Sequence, residues 1–267
     1  MPEVLPLISL PFSRIAFKAI LLEAGNRIRN WYHISPDIEI KLDGSPLTAA
    51  DRDVDEFLKK GLNNLFPEAG WLSEETVDSP ERLEKEWVWV VDPLDGTKEF
   101  TMHIPEVSVS IGLVYKQKVV FGAVYNPITG EGGLGSTDGN NEFWGFRDCS
   151  PNVQTLNEAT AIVSRTESNR GQIDPYRVLF HDIKPVGSVA YKLLRVAAKR
   201  DTLTFSVQPK SEWDLCGGVA LIQSMGMLFK RADSTGVKFN QSDVLITSHT
   251  AGGPQHLINE LIPYLTK

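Results

Sequence analysis

Cysteine is nearly absent: Cys149 and Cys216 are the two in 267 residues. Two thiols so far apart form neither a disulfide framework nor the CxxC spacing of a zinc or redox site. Excess positive charge is also missing, since 27 Lys and Arg stand against 34 Asp and Glu for a net charge of -7. A chain without a basic stripe is poorly suited to track a phosphate backbone, which disfavours polymeric nucleic acid as a partner. No run approaches the ~20 apolar residues of a membrane-spanning helix. The apolar stretch Met1 to Phe12 lacks a basic leader and contains Pro2, Pro6 and Pro11, so a packed or frayed arm is expected rather than a signal peptide. The expectation is a soluble, cytoplasmic protein with no membrane partner.

What is present is ample apolar material, 42% of residues, enough for one large domain or two small ones. Helical spacing of Ile15, Ala19, Leu22 and Ile28 predicts a helix over 13–32, and Val54, Phe57, Leu58, Leu62 and Leu65 predict a second over 48–65. Trp87 to Val91 reads as a buried strand stopped by Asp-Pro, and 107–115 with 119–125 as a hairpin. Gly130 to Asn141, with five glycines, reads as a surface loop. Further on, strands are expected at 159–165, 203–208, 227–230 and 244–247, and helices at 188–199, 213–225 and 254–265. This order predicts an α/β protein, with an α+β half over 1–148 and an α/β half over 149–267, the changeover falling near 140–155.

Carboxylates gather beside glycine or proline in four segments: Thr48-Ala-Ala-Asp51, Ser73-Glu-Glu75, Asp92-Pro-Leu-Asp-Gly-Thr97, and Trp213-Asp214 followed by Gly217-Gly218. In the third, two carboxylates flank the Leu94 carbonyl, a donor set suited to a hard divalent cation. Gly96 and Thr97 follow at once, so backbone N–H groups can face an anion beside that metal. Each segment alone has a plain alternative. Asp-Pro and Asp-Gly are ordinary turns, Glu74-Glu75 a solvated pair, Asp214 a helix cap, and Asp51 a first-turn acid. Finding all four together in this order is what the plain alternatives do not explain.

These residues resemble the lithium-sensitive, magnesium-dependent phosphomonoesterase superfamily, which includes inositol monophosphatases, 3'(2'),5'-bisphosphate nucleotidases and fructose-1,6-bisphosphatases. The resemblance runs from Asp51 to Gly218 and implies a layered αβαβα sugar-phosphatase fold. It implies that Glu74, with Asp92 and the Leu94 carbonyl, holds the metal that activates water. A second magnesium would lie on Asp92, Asp95 and Asp214, with two or three ions in all. Thr97, on Asp51, would orient the water and accept its proton, and the Gly96 and Thr97 amides would bind phosphate. Asp95 and Asp214 would also line the substrate, and Glu75 would support the site. An acidic site for an anionic ester needs cations between the two, in agreement with this chemistry. His33, His103, His181, His249 and His256 form no general-base motif, and there is no G-x-S-x-G elbow.

For the substrate, Asp-Gly-Thr-Lys98-Glu99-Phe100 and Lys41-Leu-Asp-Gly-Ser-Pro-Leu-Thr-Ala-Ala-Asp51 resemble the nucleotidase branch, implying conversion of adenosine 3',5'-bisphosphate to AMP. Inositol enzymes carry a ring-binding Glu seven positions before the Trp-Asp aspartate; here that position is Val207, with Gln208 beside it. Thr101 to Ile111, however, resembles the inositol-type continuation, which keeps inositol monophosphatase, or another sugar phosphatase, as the alternative. Gly187-Ser188 is expected to open a helix at the substrate mouth and touch the substrate, or to be a plain cap. Lys98 and Lys192 are either contacts to a second phosphate or solvated lysines. The relatives leave a monomer and a homodimer both open.

Overall fold

The computed structural model describes residues 10–34, 38–41, 44, 46–147, 152–233 and 235–266. Residues 1–9 of the N-terminal arm, Leu42, Asp43 and Ser45 of the first turn, Cys149, and the expected boundary at 148/149 lie outside that set.

The Ser13 hydroxyl accepts the Ala16 amide and starts α1 (Arg14–Tyr32). Its buried stripe is Phe17, Leu21, Ala24 and Ile28. Of the expected stripe only Ile28 is buried; Ile15 is 85% exposed. Two apolar stripes compete on this helix, and the one bearing Phe17 faces inward because its ring packs on Trp89 and Phe121. A short antiparallel pair, β1 (Ile38–Ile40) and β2 (Pro46–Thr48), leads into α2 (Ala49–Leu65), which buries Val54, Leu58 and Leu62.

Sheet one follows: β3 (Gly70–Ser73), β4 (Trp87–Asp95), then beyond the short helix α3 (Thr97–Thr101) the strands β5 (Ser108–Tyr115), β6 (Lys118–Tyr125), β7 (Gly132–Ser136) and β8 (Asn141–Trp144). They lie in that spatial order, β3 parallel to β4 and the rest antiparallel. The run in β4 is continuously apolar because both faces are covered. Trp89 and Val91 enter the core under α1 and α2, while Val88 and Val90 enter the core on the opposite face. Pro93 does not end the strand. A bulge between Asp92 and Asp95 carries β4 on to pair Asp95 with Ser108.

The expected loop at 130–141 is corrected: its centre is β7, buried along its length. The glycines serve packing here, since a Cβ on Gly132 would lie 2.3 Å from the Trp144 ring and one on Gly133 2.6 Å from the Phe143 ring.

Sheet two has the order β10-β9-β11-β15-β13, built from β9 (Thr160–Ser164), β10 (Asp182–Val186), β11 (Leu203–Ser206), β13 (Leu228–Arg231) and β15 (Thr250–Gly253). Strands β9, β10 and β11 run parallel, and β15 runs antiparallel to β11 and β13. Around it lie α4 (Arg165–Asn169), α5 (Val189–Ala197), the two-residue pair β12 (Lys210–Ser211) and β14 (Leu245–Ile246), α6 (Glu212–Ser224) and α7 (Gln255–Leu265). Helices α5 and α6 share one core with Val88 of sheet one and with Ile162 and Phe229 of sheet two. Helix α7 covers the far face of sheet two. The result is a five-layer αβαβα stack, as expected.

The central layer is close because it is glycine-rich. A Cβ on Gly217 would lie 2.7 Å from Ser110 Oγ, one on Gly218 2.5 Å from Leu193 Cβ, and one on Gly122 2.6 Å from Ala220 Cβ. Among the described residues no helix is long and apolar enough to cross a membrane. Gly122→Val is expected to cost about 1–3 kcal/mol by overpacking. Gly236→Ala, where nothing lies within 4 Å of the added carbon, should stay within about 0.5 kcal/mol. Urea denaturation midpoints of the two variants check the contrast.

Candidate active site

Four chain segments meet at the ends of β3 and β4. Glu74 follows β3, its amide donating to the Val91 carbonyl (3.3 Å). Asp55 on α2 fixes that segment by accepting from Ser73 Oγ (2.5 Å) and Thr76 Oγ1 (2.6 Å). Asp92 sits in the β4 bulge, and Asp214 at the first turn of α6. Glu74, Asp92 and Asp214 each bring one carboxylate oxygen within 4.8 Å of the others.

Hydrogen bonds, rather than counter-charges, hold most of these acids in place. Asp51 completes the cap of α2: its Oδ2 accepts from Thr48 N (2.8 Å) and Thr48 Oγ1 (2.6 Å). Its Oδ1 faces Thr97 Oγ1 at 2.9 Å, and that hydroxyl also lies 3.0 Å from the Leu94 carbonyl. Asp214 Oδ2 accepts the Ser211 amide (2.8 Å), and Asp92 Oδ1 the Leu94 amide (3.1 Å). Asp95 Oδ2 accepts from Ser188 Oγ (2.7 Å) and Ala190 N (2.6 Å). Gly96 turns the chain at φ 95°, where a Cβ would also sit 2.8 Å from the Glu106 carbonyl; only glycine satisfies both.

The electrostatics follow from burial and crowding. Burial, then Glu74, Asp95 and Asp214, drive the Asp92 carboxyl well above the carboxylate range. Burial, then Asp95 and Glu74, push Asp214 up to about 8. Asp95 is raised by burial too, opposed by the Ser188 hydrogen bond and by Lys192. The protein sets its own cation against this charge: Lys41 Nζ lies 2.7 Å from Glu74 Oε1 and 2.6 Å from Glu75 Oε1. Burial lowers the Lys41 ammonium, but the two glutamates outweigh it and raise it overall. Glu75, buried beside them, moves up to about 7. A cluster of oxygen donors that resist ionising together is one a divalent cation would relieve.

The expected residues Asp51, Glu74, Asp92, Leu94, Asp95, Gly96, Thr97 and Asp214 therefore converge. Gly187 and Ser188 are buried and reach the site indirectly. The Gly187 amide donates to Glu106 Oε2 (2.6 Å), and the Ser188 hydroxyl is the one on Asp95. Lys98 is exposed on α3. Lys192 is neither solvated nor open to a ligand: it is 3% exposed beneath the Gly187-Ser188 turn. The supporting roles of Lys41, Asp55 and Glu106 carried no sequence signal, because each depends on a contact across the fold. Lys192 did carry one, a charge set among apolar neighbours in the helix Val-Ala-Tyr-Lys-Leu-Leu-Arg-Val-Ala.

The pattern of the inositol monophosphatase family matches residues 10–265, and the chain belongs to that family, making it a phosphatase. Relatives of two activities resemble it equally. It is 28% identical over 253 residues to inositol monophosphatase 2 of Solanum lycopersicum, covering 90% of this chain and 94% of that one. It is also 28% identical over 242 residues to the 3'(2'),5'-bisphosphate nucleotidase CysQ of Haemophilus influenzae, covering 86% and 88%. Among solved structures, the suhB protein of Bartonella henselae superposes with a TM-score of 0.80 at 22% identity, over 95% of this chain and 98% of that one. SaIMPase-II with 2'AMP bound superposes at 0.76 and 20% identity, over 94% and 92%.

A carboxyl whose pKa is higher folded than unfolded takes up a proton on folding. For Asp214 that contribution is complete below 3.8 and is lost as pH rises through about 8. The metal-free protein should therefore melt at progressively lower temperature as pH is raised from about 5 to about 8 in chelator. A melting temperature that climbs across this interval would contradict the buried-carboxylate account.

Proposed function

We propose that the chain is a cytoplasmic, magnesium-dependent phosphomonoesterase that removes the 3'-phosphate of adenosine 3',5'-bisphosphate, releasing AMP and phosphate. The metal-dependent part of this reading is carried by the meeting of Glu74, Asp92 and Asp214 within 4.8 Å beside Asp95 and the Leu94 carbonyl. These groups would hold two or three magnesium ions. Bound there, magnesium supplies charge compensation for the ester and acidifies a water.

The chain's own residues then perform the proton work. Thr97 Oγ1, directed by Asp51 Oδ1, orients the attacking water. The water's proton passes to Thr97 as the threonine's own proton moves to Asp51, whose carboxyl is raised by burial and so accepts it more readily. The water oxygen bonds phosphorus, the ester P–O bond breaks with its electron pair going to the 3'-oxygen, and that oxygen takes a proton from solvent water to leave as a hydroxyl. Gly96 and Thr97 amides hold the phosphate. Asp95 and Asp214 face the substrate side of the cluster, and the Gly187-Ser188 turn serves them by holding Asp95.

Substrate choice is supported by the residue type at position 207. Val207 offers no carboxylate to a ring hydroxyl, is 9% exposed, and gives its amide to Glu167 Oε2 (3.0 Å). Inositol monophosphate hydrolysis is the second reading, favoured by the Thr101 to Ile111 segment and by the equal identity to inositol monophosphatases.

Phosphate release from adenosine 3',5'-bisphosphate and from inositol 1-phosphate, measured in parallel with magnesium and with chelator, tests this. A kcat/KM ratio of about a hundredfold toward the nucleotide, about 2.7 kcal/mol, is expected. Preference for the inositol ester would select the second reading, and release from neither would overturn both. Asp95→Asn should hold its far-UV spectrum yet retain less than about a tenth of the rate at saturating magnesium. Tens of millimolar lithium should inhibit turnover, and indifference to it would count against the reading.

A further inference from the structure

We infer that Lys192 is a positioning residue: its ammonium clamps the strained Gly187-Ser188 turn from inside the fold and thereby fixes Asp95 at the cluster. The inference rests on the reading of Asp95 as part of a metal site.

The turn is held in an unfavourable conformation. Ser188 has φ 54°, a region that a non-glycine residue keeps only where its surroundings enforce it. Glycine would relieve that strain but would lose the hydroxyl, which donates to Asp95 Oδ2 (2.7 Å), accepts the Tyr191 amide (3.0 Å) and lies 3.0 Å from Ser108 Oγ. The same turn aims the Ala190 amide at Asp95 Oδ2 (2.6 Å). One oxygen of Asp95 is thus held entirely by this turn, and any relaxation of Ser188 would release it.

Lys192 supplies the enforcement. Its Nζ donates to the Ser188 carbonyl (2.8 Å) and the Val186 carbonyl (3.2 Å), the two that bracket Gly187. Burying an ammonium is unfavourable unless it is well partnered, so a lysine only 3% exposed calls for a specific contact. The charged groups facing it are Asp95, Glu99, Glu167 and Lys210. Lys210 is already paired with Glu167 (2.9 Å). Glu99 is crowded against Gly187, where a Cβ would lie 2.5 Å from its Cγ. Asp95 is therefore joined to Lys192 twice, through the turn and by opposite charge. Methionine would fill the same volume and abolish both links.

Magnesium binding measured by calorimetry on metal-free protein, together with the magnesium-induced rise in melting temperature, separates this role from a merely structural one. Lys192→Met should fold, as judged by far-UV spectrum and a cooperative melt, yet bind magnesium at least about tenfold more weakly. Lys192→Gln, which keeps a donor, should recover part of that loss. The magnesium concentration for half-maximal turnover should shift in parallel, with much of the rate recovered at high magnesium. A folded Lys192→Met, or a folded Gln variant should Met fail to fold, that binds magnesium within about twofold of wild type overturns the inference. Failure of both variants to fold also overturns it, leaving Lys192 a residue of the core. Wild-type protein that binds no magnesium would instead overturn the metal-site reading beneath it.

Discussion

Glu74, Asp92 and Asp214 place carboxylate oxygens within 4.8 Å of one another, an arrangement like charges resist. The surrounding structure works against that resistance. Three helix starts contribute: the cap of α2 holds Asp51, the first turn of α6 holds Asp214, and the turn before α5 holds Asp95. At a helix start unpaired N–H groups gather, and a carboxylate finds donors there without needing a countercharge. The acids are thus rigidly placed but poorly neutralised, which is the condition under which a cation gains most by binding. Among the described residues Lys41 is the one ammonium drawn directly onto Glu74.

The central layer brings those helix starts to one place. Helix α6 packs against sheet one and belongs to the same core as sheet two, so its first turn ends up beside β4. That approach needs bare backbone: Gly217 against Ser110 and Gly218 against Leu193 leave no room for a Cβ. The glycine pair after Trp213-Asp214 therefore supports the site through packing rather than through contact with a ligand.

Overall identity does not separate the two activities found among the relatives. Inositol monophosphatases and bisphosphate nucleotidases match this chain at the same identity. Of the residues singled out for specificity, Val207 is buried in the core beneath α7, Gln208 is half-buried and Lys98 is exposed on α3.

By itself the sequence determined the elements with strong periodicity and the acids with strong local context. The helices α1 and α2, the strand β4, and the motifs at Asp51, Glu74, Asp92–Thr97 and Asp214 were legible because each signal lies within a few residues. Tertiary structure alone decided which face of α1 is buried, because the choice rests on Phe17 meeting Trp89 and Phe121. It alone made the glycine-rich stretch a strand, since the aromatic rings that fill its missing side chains come from β8. It also turned Ser188 and Lys192 from residues of a substrate mouth into supports of Asp95. Local periodicity reports how a segment folds on itself; partners such as Ser188 and Asp95, 93 residues apart in the chain, are chosen only when the layers close.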